Sequence, residues 1–333
     1  MPQGTVLRGP SLSGADIGPA PDREAARIRG TQGGAACART RLWNAALAQR
    51  AARAGCGGRA RCRTRGERSA AFRAARLVST GTASGRPVAF VTGASQGIGA
   101  GVAAALARAG YDVVVSSTLP DKLGPTLSAI AAAGARGAAA ALDLRDQGVI
   151  ERAAAEALTA FGQIDVLVNN AGVPLRRLAL DVTPGEWDAV LAANLTGTFF
   201  LTQQIARHWV KRNHPGCIVN IASTHGLVGR AERSTYGISK AGLMHMTRML
   251  ALEWAPHGIR VNAIAPGRVE SGSPARAASA ANPAYLQRML DAIPLRRFCS
   301  VDEVAQAVCY LASREASYVT GHTLVMDGGL TAA

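Results

Sequence analysis

Val88-Ala-Phe-Val-Thr-Gly-Ala-Ser-Gln-Gly-Ile-Gly99 decides the fold. A short apolar run ends in a glycine-rich turn, and a helical pattern from Ile98 to Ala109 follows directly. Strand, turn and helix in that order place backbone N–H groups and the positive end of a helix at the carboxyl end of a strand, where a pyrophosphate binds. Gly93 suits the tight turn, Gly97 lets a phosphate approach the backbone, and Gly99 lets helix and strand pack closely. The spacing, G-x3-G-x-G, differs from the G-x-G-x-x-G dinucleotide fingerprint. By itself it could also be an ordinary turn in a chain with 37 glycines.

Outward from this stretch, apolar runs at 112–116, 137–142, 165–168, 217–222, 259–265 and 323–326 alternate with helical patterns. The helices are predicted at 121–133, 146–161, 186–211, 235–255, 283–292 and 301–313. Continuous apolar strands imply a sheet covered on both faces. Regular alternation implies right-handed crossovers and a Rossmann-type α/β fold, with a doubly wound, seven-stranded parallel sheet. Residues 87–333 show no composition break, so they are read as one domain. Ligands in such a sheet bind beyond the strand carboxyl ends, where strand order reverses.

The segment before it is different. Residues 1–86 hold sixteen arginines, no lysine and four acids, so most of the net charge of +15 lies there and the body is close to neutral. With one Trp, one Phe and no sustained apolar period, the segment is expected to be mostly disordered. It could be an organelle leader, an anion-binding arm, a structural cap, or sequence translated from an upstream start. Nucleic-acid binding would concern this arm alone. No apolar stretch reaches membrane-spanning length, and cysteine and histidine spacing suggests no metal site. A cytoplasmic enzyme body is expected, or an organelle one if residues 1–86 are a leader.

Other strand ends carry chemistry. Asp143 ends the third strand, where a carboxylate can accept from an adenine amino group. Asn169-Asn170-Ala171-Gly172 ends the fourth and keeps that edge small. Each taken singly is also plain loop chemistry. Tyr236 and Lys240 lie four residues apart on one helical face. Tyrosine ordinarily titrates near pKa ~10, so a phenolate near neutral pH needs a shift of about three units, roughly 4 kcal/mol, which a neighbouring ammonium can supply. Lys240 is one of three lysines among 37 basic residues, which argues against a chance pairing. Ser223, thirteen residues before Tyr236, follows the fifth strand and can hydrogen-bond a substrate oxygen; in isolation it reads as a loop serine. Asn194 stands mid-helix, an unfavourable place for it.

Together these residues resemble the short-chain dehydrogenase/reductase family, over residues 87–333 and none of the leader. The matches are Thr92 to Gly99, Asn169 to Gly172, and the set Asn194, Ser223, Tyr236 and Lys240. The resemblance implies an NAD(P)-dependent hydride transfer between a nicotinamide and a carbonyl or secondary alcohol. In it Tyr236 moves the proton, Ser223 holds the carbonyl, Lys240 also binds the nicotinamide ribose, and Asn194 orders a relay water. It further implies cofactor contacts from Gly93, Ser95, Gln96, Gly97, Ile98, Gly99, Thr118, Asp143, Leu144, Asn170, Ala171, Gly172, Pro266, Gly267, Val269 and Ser271. After Pro266-Gly267 the family often has a Thr, and here Arg268-Val269-Glu270 leads to Ser271.

The ending Tyr318 to Gly329 is similar to that of tetrameric members and implies a homotetramer. The expected substrate class is a 3-oxoacyl thioester, with sugar-acid or polyol oxidation as the alternative. A non-catalytic NAD(P)-binding regulator is a reading of another class. Cofactor choice rests on the end of the second strand, where an acid would select NAD. Ser116, Ser117 and Thr118 stand there instead, with Lys122 as the nearest cation, so the sequence leans to NADP(H) over NAD(H).

Overall fold

A computed structural model describes residues 85–271 and 282–332. The expected disorder of the N-terminal segment falls on residues outside these, apart from Gly85 and Arg86. A single parallel sheet is built from β1 (Val88–Val91), β2 (Asp112–Ser117), β3 (Gly137–Ala141), β4 (Val166–Asn169), β5 (Gly216–Ile221), β6 (Ile259–Pro266) and β9 (Thr323–Met326). Its order is β3-β2-β1-β4-β5-β6-β9, so strand order reverses between β1 and β4.

The strands are mostly apolar because neighbouring residues feed two cores. Ala89, Val91, Val113, Val115, Val166, Val168 and Val219 face one layer, closed by α1 (Gly97–Arg108) and α8 (Val301–Ala312). Val88, Phe90, Val114, Leu167, Ile218 and Val261 face the other, under α3 (Gln147–Ala160), α5 (Gly197–Arg212) and α6 (Ser234–Trp254). A polar bridge crosses the second layer. Asn169 Nδ2 donates to Thr202 Oγ1 and Asn220 Oδ1, both at 2.8 Å, and Asn220 Nδ2 donates to Thr247 Oγ1 at 2.9 Å. A buried amide without partners would be costly, so this bridge fixes the register of α5 and α6 over β4 and β5.

The long helix predicted over 186–211 is three pieces. A capping box of Thr183 and Glu186 starts α4 (Pro184–Leu191), a π turn occupies Ala192–Thr196, and α5 follows. The stretch predicted over 121–133 starts as a 3-10 turn at Pro120–Leu123 before α2 (Gly124–Ala132), with Pro125 in its first turn. A short helix, α7, spans Pro283–Asp291. A second, two-stranded parallel sheet pairs β7 (Val269–Glu270) with β8 (Cys299–Ser300) and was not anticipated.

Arg86, counted with the leader above, belongs to the body. Its guanidinium donates to the carbonyls of Ala107, Gly110 and Gly134, where α1 and α2 end and a cation is favoured.

Candidate active site

The glycine turn is strained where only glycine is at ease: Gly93 and Gly97 have φ of 65° and 61°. A Cβ on Gly99 would strike the Gly93 carbonyl and Asn170 Nδ2. No side chain caps the first turn of α1, so its N–H groups face the cleft with their hydrogen-bonding capacity open. Thr92, quoted in the motif but assigned no role from sequence, ties this turn to β4. Its Oγ1 accepts from the backbone N–H of Asn170 and Ala171, both at 3.0 Å. Asn170 answers by donating its side-chain amide to the carbonyls of Thr92 and Gly93 at 2.9 Å.

A cleft of about 440 Å³ runs along the strand ends at the point of reversal. Gly93, Ser95, Gln96, Gly97, Ile98, Thr118, Asp143, Leu144, Asn170, Ala171, Gly172 and Ser271 all line it. An open helix end, a glycine cradle and a long groove fit a dinucleotide. Pro266 and Gly267 lie one chamber further in. The Val269 side chain is buried in the core, which leaves its backbone groups to meet a cofactor.

Two details change the reading of the adenosine end. Asp143 does not present a bare carboxylate: Arg145 Nε and Nη2 hold its two oxygens at 2.9 and 2.7 Å. That pairing keeps the Asp143 carboxyl below its usual range. Arg145 was missed from sequence, where a basic residue just past a strand resembles a solvated loop charge. Of the three hydroxyls at the end of β2, Ser116 is fully buried and Ser117 Oγ accepts from Leu119 N at 3.1 Å. Thr118 is exposed and lines the cleft, whereas Lys122 does not.

The inner chamber, about 150 Å³, is lined by Ser223, Tyr236 and Lys240 together with Ile98, Gly172 and Gly267. Lys240 is buried. Its Nζ donates to the Ile221 carbonyl at 2.8 Å and lies 5.8 Å from the centre of the Tyr236 ring. Burial pulls its pKa down to about 8, still high enough for an ammonium at neutral pH. Ser223 follows β5 and its Oγ accepts from His225 N at 3.3 Å.

Asn194 sits in the π turn, whose extra residue turns its amide toward the β4 loop. There Oδ1 accepts from Val173 N at 2.7 Å, and Nδ2 donates to Val173 O and Ser239 Oγ at 3.0 Å. A Cβ on Gly172 would lie 3.0 Å from Asn194 Oδ1 and 3.6 Å from Lys240 Nζ, so these two polar ends converge on the glycine. Ser223, Tyr236 and Lys240 thus line one chamber, and Asn194 stands buried behind its Gly172 and Val173 wall. A phenol near a dry ammonium, with a hydroxyl on the same wall, can exchange a proton with an oxygen placed between them.

Beyond Tyr236 the chamber opens into a third space of about 320 Å³ that Ser223, His225, Arg176, Arg230, Arg233 and Arg268 help to line. These arginines were not singled out from sequence. Among the described residues no group of three acidic, histidine or cysteine side chains could hold a metal, and no helix is long and apolar enough to cross a membrane.

Comparison with known proteins agrees with this geometry. The family described as Enoyl-(Acyl carrier protein) reductase matches residues 93–331. 2-Dehydro-3-deoxy-D-gluconate 5-dehydrogenase of Dickeya dadantii is 37% identical over 246 residues, 73% of this chain and 94% of that protein. The 3-oxoacyl-[acyl-carrier-protein] reductase FabG of Thermotoga maritima is 36% identical over 243 residues, 73% of this chain and 97% of its own. A gluconate 5-dehydrogenase of Burkholderia cenocepacia, solved in complex with NADP and tartrate, superposes with a TM-score of 0.70 at 32% identity, covering 74% of this chain and 96% of that one. With the parallel sheet, the dinucleotide cleft and these likenesses agreeing, the chain belongs to the short-chain dehydrogenase/reductase family of nicotinamide-dependent oxidoreductases.

Proposed function

We propose that the protein interconverts a secondary alcohol and a ketone on a small, acid-bearing substrate, as a sugar-acid dehydrogenase does, with NADP(H) as the preferred cofactor. The single observation that carries the substrate class is the arginine-lined space beside Ser223 and Tyr236. Among the described residues four guanidinium groups line it and no carboxylate does. Field lines concentrate in such a cleft and raise the local concentration of an anion. The sugar-acid names of two of the relatives point the same way.

In this reading the bound nicotinamide supplies or takes the hydride. Tyr236 gives its phenolic proton to the carbonyl oxygen on reduction and recovers it on oxidation. Ser223 holds the same oxygen by donating its hydroxyl. The Lys240 ammonium stabilises the phenolate and, from beside Gly172, can also reach the nicotinamide ribose. Asn194 fixes the Val173 loop against Ser239 and completes the polar wall. Gln96 and Gly97 present backbone N–H groups to the pyrophosphate, and Thr118 can donate to a 2′-phosphate.

Reduction of 3-oxoacyl thioesters, expected first from sequence, is the second reading. The likeness to FabG favours it, as do Met289, Ile293 and Leu330 in the lining of the outer space, while its four guanidinium groups favour an acid. A spectrophotometric panel of sugar acids, polyols and 3-oxoacyl thioesters, with both nicotinamide cofactors, decides between them. Turnover of thioesters with no turnover of acids would reverse the order.

Association into a homotetramer fits an apolar stripe on α6. Ile238, Met249 and Leu252 stand 50%, 46% and 77% exposed there, at helical spacings that share one face. Light scattering checks the state.

A further inference from the structure

Resting on the acid-bearing substrate class above, we propose that Arg233 is the anchor that binds the substrate's carboxylate and sets its oxidisable carbon beside Tyr236. The four arginines of the outer space are not equivalent. Arg176 is already paired with Glu232, Nε to Oε2 at 2.6 Å. Arg230 is exposed and rests against Met289 Sδ at 3.5 Å. Arg268 is stacked over the rings of Phe298 and Tyr285, 4.8 and 5.7 Å from their centres.

Arg233 is half-buried, and its described hydrogen bond goes from Nη1 to a neutral acceptor, the Leu175 carbonyl, at 3.1 Å. Among the described residues no carboxylate pairs with it. Burial, then the charge of Arg176, holds its pKa below the usual arginine value. A partly dry cation without a counter-charge is expensive to maintain, and a planar guanidinium is shaped for a carboxylate.

The chain also aims it. Glu232 has a φ of 65°, a left-handed conformation unusual for a residue with a side chain. The conformation is pinned from two sides: by the Arg176 ion pair and by Arg177 N donating to the Glu232 carbonyl at 2.9 Å. Such strain persists where surrounding structure enforces it, often at ligand clamps. Here it turns the chain so that the next residue, Arg233, enters α6 lining the same space as Tyr236. The Arg176–Glu232 pair is therefore a strut, and Arg233 is the ligand-facing cation.

The test measures binding of tartrate to the full-length protein saturated with NADP⁺, by calorimetry, and steady-state kinetics on the best acid of the substrate panel. Arg233→Gln should weaken tartrate binding and raise KM by roughly ten- to hundredfold, the range for loss of a charge-assisted pair, while kcat falls far less. Arg233→Lys should fall between, since it keeps the charge without the fork. Glu232→Gln, which removes the strut and leaves Arg233 in place, should raise KM without abolishing binding; a cooperative melt for each variant establishes folding. Wild-type protein that neither binds tartrate nor turns over any acid would overturn the substrate class itself. Acid turnover by wild type with Arg233→Gln unchanged, or with the loss appearing in Arg268→Gln instead, would overturn the anchor alone.

Discussion

At the scale of single residues, the proposed mechanism gives proton transfer to Tyr236 and the stabilising charge to Lys240. Tyr236→Phe removes only the hydroxyl, so turnover should fall by about 10²- to 10⁴-fold while NADPH affinity, read by fluorescence titration, stays near wild type. A loss below about tenfold would remove Tyr236 from its role. Lys240 makes a different kind of prediction, because burial lowers its pKa from 10.5 to about 8. Below pH 8 the folded and unfolded chains both carry the proton, and the fold bears the whole desolvation cost. Between about 8 and 10.5 the unfolded chain binds more protons, so stability rises with pH. The cost relieved is about 3 kcal/mol. The Cys217 and Cys299 thiols, pushed up to about 11 chiefly by burial, oppose this at the alkaline end, so chemical denaturation of the cofactor-free protein should show wild type gaining stability relative to Lys240→Met across this window; an identical slope in both would refute it. The sequence made these two residues visible because their spacing on a helix is itself a geometric statement. It hid Arg145, Arg176, Arg230, Arg233 and Arg268 because they meet only after folding. In a chain whose basic residues are nearly all arginine, no single guanidinium stands out. Val269 turns its side chain into the core and leaves only its backbone to meet a cofactor, a direction that a two-residue strand gives no period to read.

At the scale of elements, seven strands were legible because each is a continuous apolar run serving two cores. The helix over 186–211 was legible in extent and not in form, since a π turn keeps the apolar rhythm while inserting one residue. That insertion presents Asn194 to Val173. Asn194→Ala should therefore lower both turnover and melting temperature, because Val173 N and Ser239 Oγ lose partners inside the fold; a kinetic effect without a thermal one would mean that the amide acts on chemistry alone. β7 and β8 escaped notice because two residues cannot display a period. In the proposed reading cofactor choice rests on Thr118, the exposed hydroxyl just past β2, beside the nearly buried Ser117. Thr118→Asp should repel a 2′-phosphate and move the ratio of kcat/KM values toward NADH by about tenfold or more, the effect of roughly 1.4 kcal/mol. An unchanged ratio would show that Thr118 does not face the ribose.

At the scale of the whole molecule, composition separates an arginine-rich N-terminal segment from a near-neutral body, and Arg86, counted with that segment, is bonded to the body. Arg86 ties together the ends of α1 and α2, so removing residues 1–84 should leave melting temperature and turnover unchanged. Cutting through Arg86 should lower the melting temperature by about 2–4 °C for each kcal/mol lost. A drop with the shorter cut would show that the leader packs on the body. The sheet order has a further consequence, for the time course of folding. β1, β2 and β3 are neighbours in both sequence and space, while Ala89 of β1 must also find Val166 of β4. Closing that long loop costs more entropy than any local step and slows the search. The cofactor groove lies on this seam, with Thr92 and Asn170 as its stitches. In a refolding experiment, recovery of nucleotide binding is therefore a clock for the docking of the two half-sheets, and it should lag behind the return of helical signal.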